Sequence, residues 1–562
     1  MPGIKIVSIY SVIMLIVTAA PATAAGPSGM PSGLQRDALA AIPQRSVLSE
    51  DTAGEQVLIN LKEENGKITA YTLDYTWTES QVAAGGLYPL SSQGYVDVIT
   101  GQDGNLYCAF YDDRTISGYA NHKSIYVRKS VDGGATWENI DGGATGFALA
   151  YLGGLGDARP SVEVWETTPG SYRIAVIISA GDESLVSYDA VVLWKELGLG
   201  NDWTSYFLGN SSYDYALPRL KAVPRPSNPS RNRLVAAFVL TQYGYYLTAY
   251  SDTDAASFGA SAAFISDIDA WEMWRPDMEY DAANDRLYCI WSMSEYNDPS
   301  HLPKTLIALS PDRSPSWYLD IFSIGPLNWN VCAEAEAALS ANPVQTDPTL
   351  MVVYSAQPNV GDTFHVHCTF QYLNVITEGG GTWDIDPPGH PVFPGTVYTD
   401  TDGDNTMPAI WADDRLNDGG YRVAILDETS VSSSRMLYTE STFDQPAVWM
   451  TPDEVSAPGA DPARQGASTG VSSGVAVGSG TYADTRIVIW PDYRNGADSD
   501  IYCARYPDTA VTPTATSTQA PTETPTPSAT PTAVPPPIPA TSGIGILVLL
   551  GGVSLLSAMK RR

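Results

Sequence analysis

Charged residues recur at matching positions in three short segments, RPSVE (159–163), LPRLK (217–221) and RPDME (275–279). Each segment is typical of the start of a β-strand, in which alternate side chains point to the same side. The sequence therefore groups one set of polar side chains, namely Ser161, Glu163, Arg219, Lys221, Asp277 and Glu279. Asp97 and Glu336 extend this set in neighbouring parts of the chain.

Two roles fit this polar set. Arg159 and Arg275 stand at strand starts, and arginine binds a carboxylate through two parallel hydrogen bonds. This predicts a ligand site at the mouth of a channel, whose residues are Arg159, Glu163, Arg219, Lys221, Arg275, Glu279 and Glu336. The alternative is a ring of internal salt bridges, because networks of this kind also form without a ligand.

A further acidic pattern is TDTDGDN, in which Asp400, Asp402 and Asp404 have the alternating spacing of calcium loops. The glycine and the last glutamate of a full EF-hand loop are replaced by Asn405 and Trp411. The pattern predicts a calcium site, with a plain acidic turn as the alternative.

The other polar patterns favour structural roles. DDR at 112–114, DDR at 413–415 and DYR at 492–494 place Asp and Arg on one strand face, which predicts local ion pairs. His365 and His367 share a strand face, and no further metal ligand accompanies them. No nucleophile elbow or phosphate loop is present in the sequence.

The elements that carry these residues form a repeat. Pro160, Pro218 and Pro276 are equally spaced, Glu334 stands where the next proline would fall, and MPAIW (407–411) continues the series. Each of these segments is followed by a second strand rich in Val, Ile and aromatic residues. Seven units result, with starts near residues 94, 160, 218, 276, 334, 408 and 472.

Units of about 60 residues with four short strands each predict an all-β fold of the β-propeller type. The expected number of blades is seven, with six or eight as alternatives. A β-sandwich is the competing fold, and seven equal units fit it poorly. The segment 55–75 contains unassigned strands, and we expect it to complete the last blade and remove the free edges of the ring.

One turn signature stands out, SVDGGATW at 130–137. Its glycines permit the positive φ of a tight hairpin, and Asp132 is suited to accept hydrogen bonds from the amides of the turn. Ser130, Asp132, Gly134 and Trp137 are therefore assigned a structural role between the third and fourth strands of a blade.

This signature resembles the Asp-box of the sialidase (neuraminidase) and BNR-repeat superfamily. The resemblance implies a propeller in which Asp-boxes lie away from the catalytic face. Family sialidases also carry an Arg-Ile-Pro segment, two further arginines, a Tyr/Glu pair and an acid/base aspartate. This chain has one clear box and no Arg-Ile-Pro segment, so no catalytic residue is carried over.

The two ends predict export and anchoring. Residues 1–24 have the positive start, apolar stretch and Ala22-Thr-Ala24 cleavage pattern of a signal peptide, and 25–54 are expected to be flexible. The propeller is expected at 55–507, followed by a Thr/Pro-rich stalk at 508–540. Residues 541–562 hold an apolar stretch and a basic tail, which resemble a bacterial surface-sorting signal or transmembrane helix.

The composition of the chain limits the classes of ligand that it is expected to bind. The formal net charge of −32 argues against nucleic acid, because a protein needs basic groups to neutralise phosphates. The five cysteines show no zinc spacing, and the sequence does not pair them.

We therefore predict an exported, surface-anchored, non-catalytic recognition module for glycan or protein ligands. It needs no cofactor other than the predicted calcium, and the C-terminal helix would contact the membrane. The alternatives are a sialidase-like glycoside hydrolase and a structural component of a surface layer.

Overall fold

The computed structural model describes most of the chain between residues 44 and 506. The described ranges are 44–50, 56–64, 67–71, 77–83, 93–112, 124–140, 149–150, 160–181, 188–199, 203–208, 215–240, 245–259, 262–263, 270–295, 304–310, 322–323, 331–340, 348–359, 361–372, 395–398, 404–413, 420–430, 433–442, 445–462, 474–479, 482, 485–494 and 499–506. The predicted signal peptide, stalk and C-terminal anchor lie outside them. Within these ranges no helix is long and apolar enough to cross a membrane.

The described part of the chain starts with a small antiparallel sheet, and the ring of blades follows it. The sheet comprises β1 (Gln44–Glu50), β2 (Gln56–Glu64) and β3 (Lys67–Tyr71), and it is followed by β4 (Thr78–Ala83). Blade 1 contains β5 (Gln93–Thr100), β6 (Leu106–Asp112), β7 (Ser124–Ser130) and β8 (Glu138–Asn139), and β9 (Leu149–Ala150) also pairs with β7. Blade 2 contains β10 (Ser161–Thr168), β11 (Ser171–Gly181), β12 (Tyr188–Glu196) and β13 (Thr204–Phe207).

The middle blades repeat this meander. Blade 3 contains β14 (Tyr215–Arg225), β15 (Asn228–Leu240), β16 (Tyr245–Ser251) and β17 (Ala262–Ala263). Blade 4 contains β18 (Ala270–Met273) and β19 (Asp277–Asp281), which both pair with β20 (Arg286–Glu295), then β21 (Lys304–Ser310) and β22 (Phe322–Ser323). Blade 5 contains β23 (Val331–Ser340), β24 (Thr349–Gln357), β25 (His365–Tyr372) and β26 (Gly395–Tyr398).

The last two blades close the ring. Blade 6 contains β27 (Asp404–Asp413), β28 (Gly420–Ser430), β29 (Ser433–Thr442) and β30 (Gln445–Trp449), and β31 (Asp453–Glu454) also pairs with β29. Blade 7 contains β32 (Gly474–Val477), β33 (Arg486–Asp492) and β34 (Asp500–Tyr506), and β4 pairs with β34 as its fourth strand. The fold is a seven-bladed β-propeller, and the seven predicted strand starts are confirmed.

Closure by an N-terminal strand is confirmed, but the predicted segment is wrong. Residues 55–75 contribute β2 and β3 to the separate sheet, and the closing strand is β4. The strand β1 also lies inside the segment 25–54 that was expected to be flexible. The polar sequence of β4, TESQVA, suits an outermost strand that is partly exposed.

Apolar side chains fill the seams between blades. Seven clusters of described residues each join two consecutive blades, and one of them joins blade 7 to blade 1 through Cys108, Phe110, Ile487 and Cys503. All five cysteines lie in described strands, and each is buried and without a disulfide. Stability therefore comes from stacking of blades, not from covalent cross-links.

Four of the described inner strands share a bulge near their start. Tyr95, Leu217, Glu334 and Met407 have φ between 47° and 56°, and the pairing with the second strand skips at each of these sites. A left-handed conformation at a non-glycine residue costs about 1–2 kcal/mol, so the surroundings must hold it. The bulge corrects the repeat by one residue, because Glu334 corresponds to Leu217, the residue before Pro218.

The Asp-box turn lies between β7 and β8, as the sequence predicts for this turn. Ser130 Oγ accepts a hydrogen bond from the amide of Gly134 at 2.8 Å. Asp132 accepts one from the amide of Thr136 at 2.9 Å and one from its hydroxyl at 2.6 Å. Gly134 has φ 86°, and a Cβ there would lie 3.2 Å from the sulfur of Cys503 in blade 7. The turn thus braces the seam where the ring closes.

A second turn with the same hydrogen bonds follows β16 in blade 3. Ser251 Oγ accepts from the amide of Ala255 at 3.0 Å, and Thr253 Oγ1 accepts from the amide of Ser257 at 2.8 Å. Asp254 and Ala255 have φ of 54° and 70°, where the first turn has two glycines. The turn keeps the geometry while Thr253 replaces the aspartate.

Replacing Ser130 or Ser251 with alanine is expected to lower the free energy of unfolding by about 1–3 kcal/mol. In each variant the buried amide of Gly134 or Ala255 loses its acceptor. Urea unfolding followed by tryptophan fluorescence measures the effect, with Ser230→Ala, whose hydroxyl is exposed, as the matched control. If Ser251→Ala matched the control, the two turns would not be equivalent.

Candidate functional site

The predicted polar set gathers along the inner strands of blades 1 to 5. Val162, Leu220 and Met278 are buried in the seams, as the predicted alternation requires. The intervening residues form one connected network of charges, since Asp97 from blade 1 and Asp277 from blade 4 both contact Arg219 of blade 3. These contacts cross several blades, which places the network at the axis of the ring.

Arg219 is the centre of this network. One guanidinium nitrogen lies 2.8 Å from Asp97 Oδ1, and another lies 2.8 Å from Asp277 Oδ1. Burial alone would lower the pKa of Arg219, but the carboxylates of Asp277 and Asp97 outweigh it and raise the pKa above its ordinary value. Arg219 is therefore held as a cation by two blades.

The two aspartates also hold the backbone of the following blade. Asp97 Oδ2 accepts a hydrogen bond from the amide of Val162 at 2.8 Å, and Asp277 Oδ2 accepts one from Ala337 at 2.8 Å. Ser161 Oγ accepts from Leu220 at 3.1 Å in the same way. These hydrogen bonds, which we call latches, join equivalent positions on successive inner strands.

Arg275 is tied to backbone carbonyls. Its Nε donates to Pro218 O at 3.2 Å, and its Nη2 donates to Pro160 O at 3.0 Å. Nη2 also lies 3.7 Å from Asp97 Oδ1. Pro218 follows the bulge at Leu217, so the arginine satisfies a carbonyl that this bulge releases from strand pairing. Arg159, its predicted companion, lies outside the described residues.

A second set of charged side chains lies two residues further along the same strands. Lys221 Nζ lies 2.9 Å from Glu279 Oε1 across the seam of blades 3 and 4. Burial alone would lower the pKa of Lys221, but Glu279 and Glu163 outweigh it and raise the pKa. Burial raises the pKa of Glu163 to about 7, although Lys221 and Arg219 oppose this.

Blade 5 contributes carboxylates to the same region. Glu336 acts electrostatically on Arg219. Glu334, at the bulge, accepts a hydrogen bond from Ser355 Oγ at 2.7 Å and one from the amide of Met407 at 3.0 Å. Glu334 therefore supports the bulge of blade 6, as Arg275 supports that of blade 3.

The predicted calcium site is only partly described. Asp404 Oδ1 accepts a hydrogen bond from the amide of Phe364 at 2.9 Å, whereas Asp400 and Asp402 lie outside the described residues. His365 and His367 have ring centroids 6.3 Å apart. In the part of the chain that the structure describes, no three acidic, histidine or cysteine side chains are placed to share a metal ion. Calcium binding stays a prediction.

The DYR pattern forms the predicted local ion pair. Arg494 lies 2.7 Å from Asp492, and it also contacts Glu79 of the closing strand at 2.7 Å. The arginines of the two DDR patterns lie outside the described residues. The pair at 492–494 thus has the added role of holding β4 in place.

Sequence reasoning missed a second buried network, between blades 6 and 7. Glu440 Oε1 accepts a hydrogen bond from Tyr438 at 2.6 Å, and it lies 3.3 Å from Arg422 and 3.1 Å from Arg486. Burial alone would raise the pKa of Glu440, but the two guanidinium groups outweigh it and lower the pKa. Arg422 and Glu440 face each other on the adjacent strands β28 and β29, whereas Arg486 comes from β33 of the next blade, so the cluster forms no short sequence pattern.

No protein-family model and no curated protein matches the chain. Among solved structures it is similar to an ulvan lyase, with 10% identity over 74% of this chain and 93% of that chain and a TM-score of 0.45. It is similar to a Hadza microbial sialidase, with 13% identity, coverage of 83% and 74%, and a TM-score of 0.36. It is also similar to a Penicillium chrysogenum α-L-arabinanase, with 11% identity, coverage of 62% of this chain and 92% of that chain, and a TM-score of 0.38. These similarities assign no role to any residue.

Proposed function

We propose that the protein is a non-catalytic recognition module that binds glycan or protein ligands at a cell surface. One observation carries the proposal: the described arginines and the lysine at the axis are each engaged by protein groups of other blades. Arg219 is held by two aspartates, Arg275 by two carbonyls, and Lys221 by Glu279. These charged groups therefore hold neighbouring blades together.

The bulged ends of the inner strands offer a surface for such a ligand. Tyr95, Leu217 and Met407 occupy equivalent bulges and are each half-buried. Aromatic and apolar side chains of this kind pack on the faces of sugar rings or on peptide side chains. Ligand contact would then rest on these bulges, with the charged axis as their support.

A glycoside hydrolase is the second candidate, favoured by the carboxyl groups of Glu163 and Glu279. Glycoside hydrolysis uses two carboxyl groups, one of which is protonated at the working pH. Burial raises the pKa of Glu163 to about 7, and burial together with Asp277 raises that of Glu279. Lys221 already binds Glu279, which disfavours a free acid/base role for this residue.

Screening the purified chain against a glycan array and against chromogenic glycosides tests the proposal. We expect retention of a defined glycan or protein class without release of the chromophore, and weaker retention after Tyr95→Ala. Chromophore release that is lost in Glu163→Gln would support the hydrolase. Concentration-dependent self-association without any ligand would support a surface-layer component.

A further inference from the structure

Lys221 stands between two carboxyl groups at one level of the axis. Glu163 on β10, Lys221 on β14 and Glu279 on β19 each lie two residues beyond the latch positions Ser161, Arg219 and Asp277. Lys221 Nζ contacts Glu279 at 2.9 Å, and both glutamates act electrostatically on the ammonium group. A lysine ammonium is a compact charge on a flexible stem, which allows it to change its partner.

The charged groups that act on Glu163 come from three inner strands. Asp97 on β5 and Glu279 on β19 disfavour its charged form, whereas Arg219 and Lys221 on β14 favour it. The paired strand β11 places Ala175 opposite Glu163.

The remaining elements that pack on β10 contribute apolar groups at this level. The strand β15 meets this face of blade 2 through Leu234 and Ala236. The strand β6 meets the opposite face through Tyr107 and Ala109, and the hydroxyl of Tyr107 donates to Asp103. Asp97, Arg219, Lys221 and Glu279 are thus the charged groups that, after burial itself, set the pKa of Glu163.

We propose that Glu163 and Glu279 compete for Lys221, so that one proton on Glu163 decides which seam the lysine closes. While Glu163 is protonated, Lys221 binds Glu279 and joins blades 3 and 4. When the proton leaves to solvent, the Glu163 carboxylate attracts the ammonium group towards blade 2 and weakens the contact with Glu279. The device does not depend on what the propeller binds.

The sign of the pH dependence follows from the raised pKa of Glu163. Its pKa in the folded protein is about 7, above the ordinary value of 4.5. Between these two values the folded state keeps a proton that the unfolded state has lost, so stability falls as the pH rises from 4.5 to the folded pKa and levels off above it. Neutral glutamine at this position would remove that fall.

The test is the thermal midpoint of the full-length chain between pH 5 and pH 8.5 at constant ionic strength. We expect the wild-type midpoint to fall from pH 5 up to about 7 and to level off above that pH. Glu163→Gln should flatten the profile and lie above wild type by about 2–4 °C or more at pH 8. Glu138→Gln, an exposed glutamate, is the matched control and should keep the wild-type profile.

Two further variants separate competition from a merely structural role. Glu279→Gln removes the competitor and a negative neighbour, so the pH at which the profile levels off should decrease. Lys221→Met removes a positive neighbour, so that pH should increase. The proposal is overturned if Glu163→Gln keeps the wild-type fall, or if neither variant moves its position. Should Glu279→Gln not fold, Glu279→Asp takes its place, with a smaller shift expected in the same direction.

Discussion

Replacing Arg219 with methionine is expected to lower the free energy of unfolding by about 3–5 kcal/mol, because two buried carboxylates lose their counter-charge. Asp97 and Asp277 each lie 2.8 Å from its guanidinium group, and each also holds a backbone amide of another blade. Loss of the arginine therefore weakens the latches of blades 1 and 4. Guanidinium chloride unfolding followed by circular dichroism measures the change.

Arg231→Met is the matched control for this prediction. Its side chain is 38% exposed and lies 3.5 Å from Asp254, so its removal should change the free energy of unfolding by less than about 1 kcal/mol. If Arg219→Met were as stable as this control, the axial network would not hold the ring.

Replacing Glu440 with glutamine is the second large expected effect, again a loss of about 3–5 kcal/mol. Arg422 and Arg486 are buried against its carboxylate, and glutamine supplies no counter-charge. Because the folded pKa of Glu440 is lowered, its contribution is present above pH 4.5 and is lost as the pH falls through the folded pKa. The difference between wild type and variant should therefore shrink in acid.

A double variant distinguishes charge pairing from packing at this site. Glu440→Met with Arg422→Met replaces buried charges by apolar groups of similar size, and it should be less destabilised than Glu440→Gln. Urea midpoints at pH 7 and pH 4 compare the two. Equal destabilisation of both variants at both pH values would assign the effect of Glu440 to packing.

The repeat of the fold could be predicted from sequence, because its signal is local. Pro160, Pro218 and Pro276 mark the starts of inner strands, and alternation correctly separated Leu220 in a seam from Arg219 at the axis. The bulge could not be predicted, since Tyr95, Leu217 and Met407 share no residue type. This is why the position of Glu334 was wrong by one residue.

One turn and one buried network of charges were not predicted from the sequence. The turn at Ser251 was missed because Thr253 replaces the aspartate and Asp254 takes a conformation usual for glycine. The contact between Glu440 and Arg486 depends on the packing of blade 6 against blade 7, which no spacing in the sequence encodes. Among the predicted site residues, the structure joins Arg219, Lys221 and Glu279 in salt bridges, and it shows how neighbours set the pKa of Glu163.

The central claim is that the axial charges hold the ring and that the protein binds its ligand without changing it. The most direct measurement is mass spectrometry of each retained glycan after incubation with the purified chain. The account predicts that the glycan is recovered intact, by wild type and by Glu163→Gln alike. Shortened or unsaturated products that form with wild type and disappear with Glu163→Gln would contradict it.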